Sequence, residues 1–239
     1  MKYLVNEKFF DSWNSDMAYI LGYFYADGSL EDASYLRGKY IRVTSIDRTT
    51  IENIKLRLRS QHTIVEYEGY KNRKPRYLLR IGDRVLYDSL IKLGLYPNKS
   101  LTITIPKIPK KYVRHFIRGY FDGDGCVYFE HGRGKNKKII IKGLRTIFTS
   151  GSKNFLFQLS KLLGENKICS AGRKVYSSHR SFQLRYSTKD SLRLFLFLYE
   201  GSRDLLFLQR KYDTFHKYLN ENSKRIDKSI RNVLESYKK

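Results

Sequence analysis

Two segments of the chain are apolar almost all the way round, Met17 to Ala26 and Val113 to Gly123. A helix without a polar stripe is buried on several sides, so each predicts a central helix. Elsewhere the pattern changes period. Lys39 to Ser45 sets Tyr40, Arg42 and Thr44 against Ile41 and Val43. Ser181 to Ser187 sets Phe182, Leu184 and Tyr186 against Ser181, Gln183, Arg185 and Ser187. Alternation of this kind predicts half-buried antiparallel strands with basic and hydroxyl side chains on one face. Helical stretches are expected at 48–59 and 152–163. Pro97 to Pro109 holds three of the four prolines and no helical pattern, so it reads as a connection between two domains.

The pattern also repeats. Ile20-Leu21-Gly22-Tyr23-Phe24-Tyr25-Ala26-Asp27-Gly28 aligns with Ile117-Arg118-Gly119-Tyr120-Phe121-Asp122-Gly123-Asp124-Gly125. Downstream, Val43-Thr44-Ser45 matches Phe148-Thr149-Ser150, Leu79-Arg80-Ile81 matches Leu184-Arg185-Tyr186, and Leu95-Tyr96 matches Leu198-Tyr199. Ordered matches along the whole chain indicate a duplication. The expected organisation is a first half at 1–100, a linker at 101–112 and a second half at 113–239.

Within each copy, small residues lie four apart: Gly22 and Ala26, Gly119 and Gly123. That spacing puts each pair on one helix face and lets two backbones approach closely, predicting a helix–helix interface. Gly28 and Gly125 fall where the helices end, and left-handed backbone is expected there. Asp27 and Asp124 come just before them. An acid at the negative end of a helix dipole is unfavourable unless a cation compensates it. A hard divalent ion takes carboxylate and carbonyl oxygens and brings phosphates with it, which suits metal-assisted hydrolysis of a phosphodiester.

Charge agrees with that chemistry. The 239 residues carry 47 Lys+Arg against 23 Asp+Glu, a net charge of +24. Residues 1–110 hold 19 basic and 12 acidic groups and the remainder 28 and 11, so both halves are basic. Such an excess calls for a polyanion, with nucleic acid foremost. Two cysteines cannot form a disulfide scaffold, and neither sits in a zinc spacing. No apolar run approaches the ~18 residues a bilayer crossing needs. The first residues lack a signal-peptide pattern. An intracellular protein is expected, in a bacterial or archaeal cytoplasm or an organelle. Few Ala and Pro beside many Lys, Ile, Tyr and Asn suggest an AT-rich genome.

The paired motifs resemble the LAGLIDADG homing endonucleases. Ile20–Gly28 and Ile117–Gly125 fall on the nine motif positions, with one departure at Tyr25, where the family has Asp. The resemblance covers nearly the whole chain. It implies an α+β fold of two pseudo-symmetric αββαββα domains whose antiparallel sheets form a DNA-binding saddle. It also implies a site-specific DNA endonuclease that leaves a staggered double-strand break at a long, asymmetric site, as in intron homing. Asp27 and Asp124 would be catalytic and would bind metal with the carbonyls of Ala26 and Gly123. Mg²⁺ is the expected cofactor, with Mn²⁺ as a substitute and Ca²⁺ supporting binding without cleavage. Lys99 matches the basic residue near a cleavage centre. The second half has Gly201-Ser202-Arg203 there, leaving Arg203 as a weaker candidate. Ser45 and Ser150 match a position that orients water in some members, or cap the helices that follow.

For DNA binding, Arg37, Lys39, Arg42, Arg76, Arg80, Arg145, Arg180 and Arg185 lie in or beside polar strand faces. Lys71, Arg73, Lys74, Lys135, Lys137 and Lys138 lie in loops and suit phosphate contacts. The partner is double-stranded DNA, bound by a monomer. Two alternatives share the scaffold: an RNA maturase with intron RNA as partner, and a cleavage-deficient DNA-binding regulator. An intein is not expected, since Ser236-Tyr237-Lys238-Lys239 lacks a terminal His-Asn.

Overall fold

The computed structural model describes residues 3–33, 38–71, 74–134, 138–200 and 206–222. Two compact units make up the chain, Met1–Gly123 and Asp124–Lys239. The first unit runs α1 (Ser15–Asp27), β1 (Gly28–Ala33), β2 (Gly38–Ser45), α2 (Arg48–Arg57), β3 (Ile64–Tyr67), β4 (Arg76–Gly82) and α3 (Arg84–Lys92). It ends in α4 (Val113–Asp124), whose last residue opens the second unit. There follow β5 (Gly125–Arg133), β6 (Ile139–Ser150), α5 (Lys153–Glu165), β7 (Val175–Ser178), β8 (Ser181–Tyr186), α6 (Thr188–Tyr199) and α7 (Gln209–Glu221). Each half is therefore αββαββα, with α7 added to the second. The connection at 97–109 is less irregular than expected, since Lys99–Leu101 forms a short 3₁₀ turn. The sequence assigns α4 to the second half, yet it packs in the first unit, because its small-residue face lies on α1.

The duplication extends to strand register. Both sheets are antiparallel and four-stranded, in the orders β1-β2-β4-β3 and β5-β6-β8-β7. Gly28 stands opposite Val43, which stands opposite Leu79; Gly125 stands opposite Phe148, which stands opposite Leu184. The matched triplets thus occupy equivalent rungs. Alternation is kept as well. Ile41, Val43, Leu79 and Ile81 are buried, while Arg42 and Arg80 are exposed. In the second sheet Phe148, Leu184 and Tyr186 are buried and Arg185 is exposed.

Helix α1 starts with Asn14, whose Oδ1 accepts the Met17 N–H at 2.8 Å. Met17 through Tyr25 are all buried, as the unbroken apolar run predicts. The crossing with α4 is backbone on backbone. A Cβ at Gly22 would lie 2.9 Å from the Phe116 carbonyl carbon and 3.0 Å from the Tyr120 nitrogen. One at Gly119 would lie 2.8 Å from the Tyr19 carbonyl carbon and 2.9 Å from the Tyr23 nitrogen. Polar groups are sealed beside this crossing. Tyr19 donates its hydroxyl to Asp122 Oδ2 at 2.8 Å, and Arg118, fully buried, donates to His115 Nδ1 at 3.0 Å. His115 therefore keeps Nδ1 unprotonated. Burial first, then the Arg118 and Arg114 charges, lower its pKa to about 4.

Gly28 corrects an expectation. Its backbone is extended (φ −81°, ψ 152°), not left-handed, and it opens β1 directly. Glycine is needed for closeness: a Cβ there would come within 2.7 Å of the Phe24 Cα and carbonyl oxygen. Gly125 opens β5 in the same way and is not among the positive-φ glycines, so the left-handed expectation fails there too.

Candidate functional site

Asp27 closes α1 and is exposed, although Tyr25 two residues earlier is buried. No basic residue lies in the last turn of α1 to offset the dipole. The compensating charge comes from far along the chain. Lys99, only 5% exposed, donates its ammonium to the carbonyls of Tyr25 (2.9 Å) and Ala26 (3.4 Å). Burying a lysine is costly unless its donors are met, and the negative end of a helix meets them. Gly123 approaches the same helix end, since a Cβ there would lie 3.2 Å from Asp27 Oδ2. Tyr23 joins the group from below. Its hydroxyl lies 3.1 Å from Ser45 Oγ, and burial followed by the Asp27 charge pushes its ionisation far above the usual phenol range.

In the second unit Asp124 closes α4, again without a basic residue in the last turn, and is half-buried. Arg203 lies outside the described residues. Another cation stands at this helix end: Lys211 of α7, 3% exposed, donates Nζ to the Gly125 carbonyl at 2.5 Å. Sequence matching missed Lys211 because it is not at the repeat position of Lys99. A signal was present, however. Lys211, Phe215, Tyr218 and Leu219 form the i, i+4, i+7, i+8 stripe that α7 buries, and a lysine on such a stripe needs a polar partner.

Ser45 and Ser150 are both buried, and each caps a local turn. Ser45 Oγ accepts the Asp47 N–H and Ser150 Oγ accepts the Ser152 N–H, both at 3.1 Å. These bonds set the turns that lead into α2 and α5, but the N-caps of those helices are Asp47 and Ser152, so Ser45 and Ser150 do not cap them.

Each helix end thus offers one carboxylate and the carbonyls just before it, all hard oxygen donors of the kind Mg²⁺ takes. Among the described residues no three His, Cys, Asp or Glu side chains gather into a metal cluster. A divalent ion held at either helix end, by Asp27 with the Ala26 carbonyl or by Asp124 with the Gly123 carbonyl, would need substrate phosphate or water to complete its shell. The residues fit an ion that arrives with its substrate.

The sheet faces sort the basic candidates. In the first unit Arg42, Arg76 and Arg80 lie on the exposed face, with Glu31 and Tyr40. Lys39 does not. It shares the face of Ile41 and Val43 and bonds Asp88 of α3 at 3.0 Å, over the Tyr87 ring. The period-two pattern itself requires this, so Lys39 leaves the set of strand-face candidates. In the second unit Arg145 and Arg185 are on the exposed face, beside an open groove of about 760 Å³ that Arg173, Lys174 and Tyr176 also line. Arg180 sits in the β7–β8 turn with φ 54°, so it projects from a loop, not a strand. Lys71, Lys74 and Lys138 are in connections; Arg37, Arg73, Lys135 and Lys137 lie outside the described residues.

The family profile described as LAGLIDADG-like domain matches residues 111–198, which contain the second motif. Over that span the chain is similar to LAGLIDADG-like domains. Solved LAGLIDADG structures agree with the fold over nearly the full length. The meganuclease I-AabMI, bound to uncleaved DNA, superimposes with a TM-score of 0.56 at 13% identity, covering 93% of this chain and 98% of that one. I-SmaMI, bound to uncleaveable DNA with a TTGT central four, gives 0.59 at 12% identity, covering 94% and 97%. I-LtrWI, bound to target DNA, gives 0.55 at 12% identity, covering 96% and 97%. At these identities the likeness is one of fold. Among curated proteins, the probable translation initiation factor IF-2 of Methanocaldococcus jannaschii is 28% identical over 188 residues. That of Thermococcus kodakarensis is 31% identical over 177. The chain spans only 14% and 12% of the length of these two factors. Among the described residues no helix is long and apolar enough to cross a membrane.

Proposed function

We propose that the protein is a site-specific, divalent-metal-dependent DNA endonuclease that acts as a monomer and cuts both strands. The observation that carries this reading is the repeated helix end, where an exposed or half-buried Asp follows a buried helix and a buried lysine answers the helix dipole. Asp27 and Asp124 would each hold a divalent ion, with Ala26 and Gly123 contributing carbonyls. Such an ion, once bound, would supply Lewis-acid stabilisation of the phosphate and a water of lowered pKa. Lys99 and Lys211 keep positive charge where negative charge accumulates on the cleaved phosphate. Tyr23, whose hydroxyl also meets Ser45, hydrogen-bonds Asp27 and steadies its carboxylate. The exposed faces of the two sheets bind the duplex, and the loop lysines hold its backbone.

The DNA-bound state of the solved relatives in fold supports the substrate class, and the net charge of +24 supports a polyanionic partner. A plasmid library with randomised inserts, incubated with the full chain and Mg²⁺, tests the reading. Linear products that share an insert sequence, and that vanish on adding EDTA, are expected. Products that survive chelation, or binding without any cut in Mg²⁺ or Mn²⁺, would contradict it.

A further inference from the structure

The repeat places Arg80 and Arg185 on the same rung of the two sheets, since Leu79 and Leu184 occupy equivalent registers. Around these two arginines the halves differ, yet they build the same arrangement. Arg80 gives Nε and Nη2 to the two carboxylate oxygens of Glu31, at 3.3 and 3.2 Å. Arg185 gives Nε and Nη2 to Gln183 Oε1, at 3.0 and 2.8 Å. Both guanidinium groups lie over a tyrosine ring, Tyr40 at 3.5 Å and Tyr176 at 5.2 Å. The braces come from different strands. Glu31 and Tyr40 belong to β1 and β2, whereas Gln183 and Tyr176 belong to β8 and β7.

Tyr40 is itself seated by glycine. A Cβ at Gly82 would lie 3.1 Å from its ring, and one at Gly38 would meet the ring's other side. Two glycines therefore let the ring lie close to the sheet beneath Arg80. In each half the acceptor takes the inner Nε–Nη2 edge of the guanidinium. The outer Nη1–Nη2 edge, on an exposed strand position, is the edge that can give two parallel bonds. In the major groove that fork matches O6 and N7 of guanine. A side chain already fixed by an acceptor and a ring loses little freedom on binding, so its preference is sharp.

We propose that Arg80 and Arg185 are specificity-determining residues that each read a guanine of the target. The proposal rests on the DNA-binding reading above and extends it to bases. Arg145 is braced differently, with Nε and Nη2 both on Glu130 Oε2. It lacks a ring beneath it among the described contacts, and no guanine is assigned to it.

The experiment is selection of bound duplexes from a random-sequence library by the full chain with Ca²⁺. It is repeated with Arg80→Lys and Arg185→Lys, which keep the charge but lose the fork. The parent consensus should contain guanines. Arg80→Lys should relax one of them by about 10- to 100-fold and Arg185→Lys a different one. Glu31→Gln, which keeps the acceptor, should retain the guanine that Arg80→Lys loses. Unchanged base preferences in both lysine variants, or the loss of no guanine, would overturn the assignment while leaving DNA recognition standing. Failure of the parent chain to enrich any sequence would overturn the DNA reading itself.

Discussion

Replacing Gly119 with alanine isolates the closest packing in the first unit. The new Cβ would fall 2.8 Å from the Tyr19 carbonyl carbon and 2.9 Å from the Tyr23 nitrogen, and still closer to the Tyr19 oxygen. All three are backbone atoms of α1, so no side chain can swing away. The helices must part, and parting opens gaps between buried neighbours such as Phe116 and Tyr23. Overpacking of this kind costs about 1–3 kcal/mol, and a backbone obstacle puts it at the upper end. Alanine's better helix propensity returns about 1 kcal/mol. The net loss is then about 2 kcal/mol, or roughly 4–8 °C in the unfolding midpoint for a chain of this size. Gly22→Ala should act alike, because its Cβ meets Phe116 and Tyr120 at the same crossing. Once one substitution has parted the helices the second costs less, so the double variant should lose less than the sum. Thermal unfolding followed by circular dichroism measures all three. A midpoint that rises in Gly119→Ala would show that propensity alone acts and that the helices are not in backbone contact.

Further outcomes follow from the two helix ends and the buried histidine. Lys99→Met and Lys211→Met should each slow cleavage by at least about 10-fold while leaving DNA affinity within a few-fold, read from single-turnover rates and gel shifts; equal loss of rate and affinity would assign them to binding instead. His115 has its folded pKa lowered to about 4 from an ordinary 6.5, so folding favours its neutral form. Its contribution is complete above pH 6.5 and is lost as pH falls from 6.5 towards 4. Unfolding midpoints measured across that window should drop more steeply for the parent chain than for His115→Gln, and parallel curves would contradict the shift.

Much of this arrangement was legible in the sequence because it follows from period. The apolar runs fixed α1 and α4, the four-residue spacing of Gly22–Ala26 and Gly119–Gly123 marked the crossing, and the repeated triplets marked equivalent rungs. Parity also contained the answer for Lys39. Its neighbours Ile41 and Val43 face the helices, so an odd-numbered lysine in β2 belongs with them and not with Arg42. Other features depend on contacts between distant segments, which local pattern does not carry. The bonds from Lys99 to Tyr25 and from Lys211 to Gly125 join residues far apart in the chain. The conformation of Gly28 was misjudged because helix ends usually turn through left-handed backbone. Here the chain passes straight into β1, and contact with Phe24 sets the demand for glycine.

The central claim is that Asp27 and Asp124 each serve the cutting of DNA strands. Its most direct measurement compares Asp27→Asn, Asp124→Asn and the double variant with the parent chain on a supercoiled plasmid bearing the selected target, with Mg²⁺, alongside binding in Ca²⁺. The account predicts that the double variant binds with near-parental affinity and yields no linear product, and that each single variant loses double-strand cleavage. Linear product from the double variant at the parental rate would contradict it.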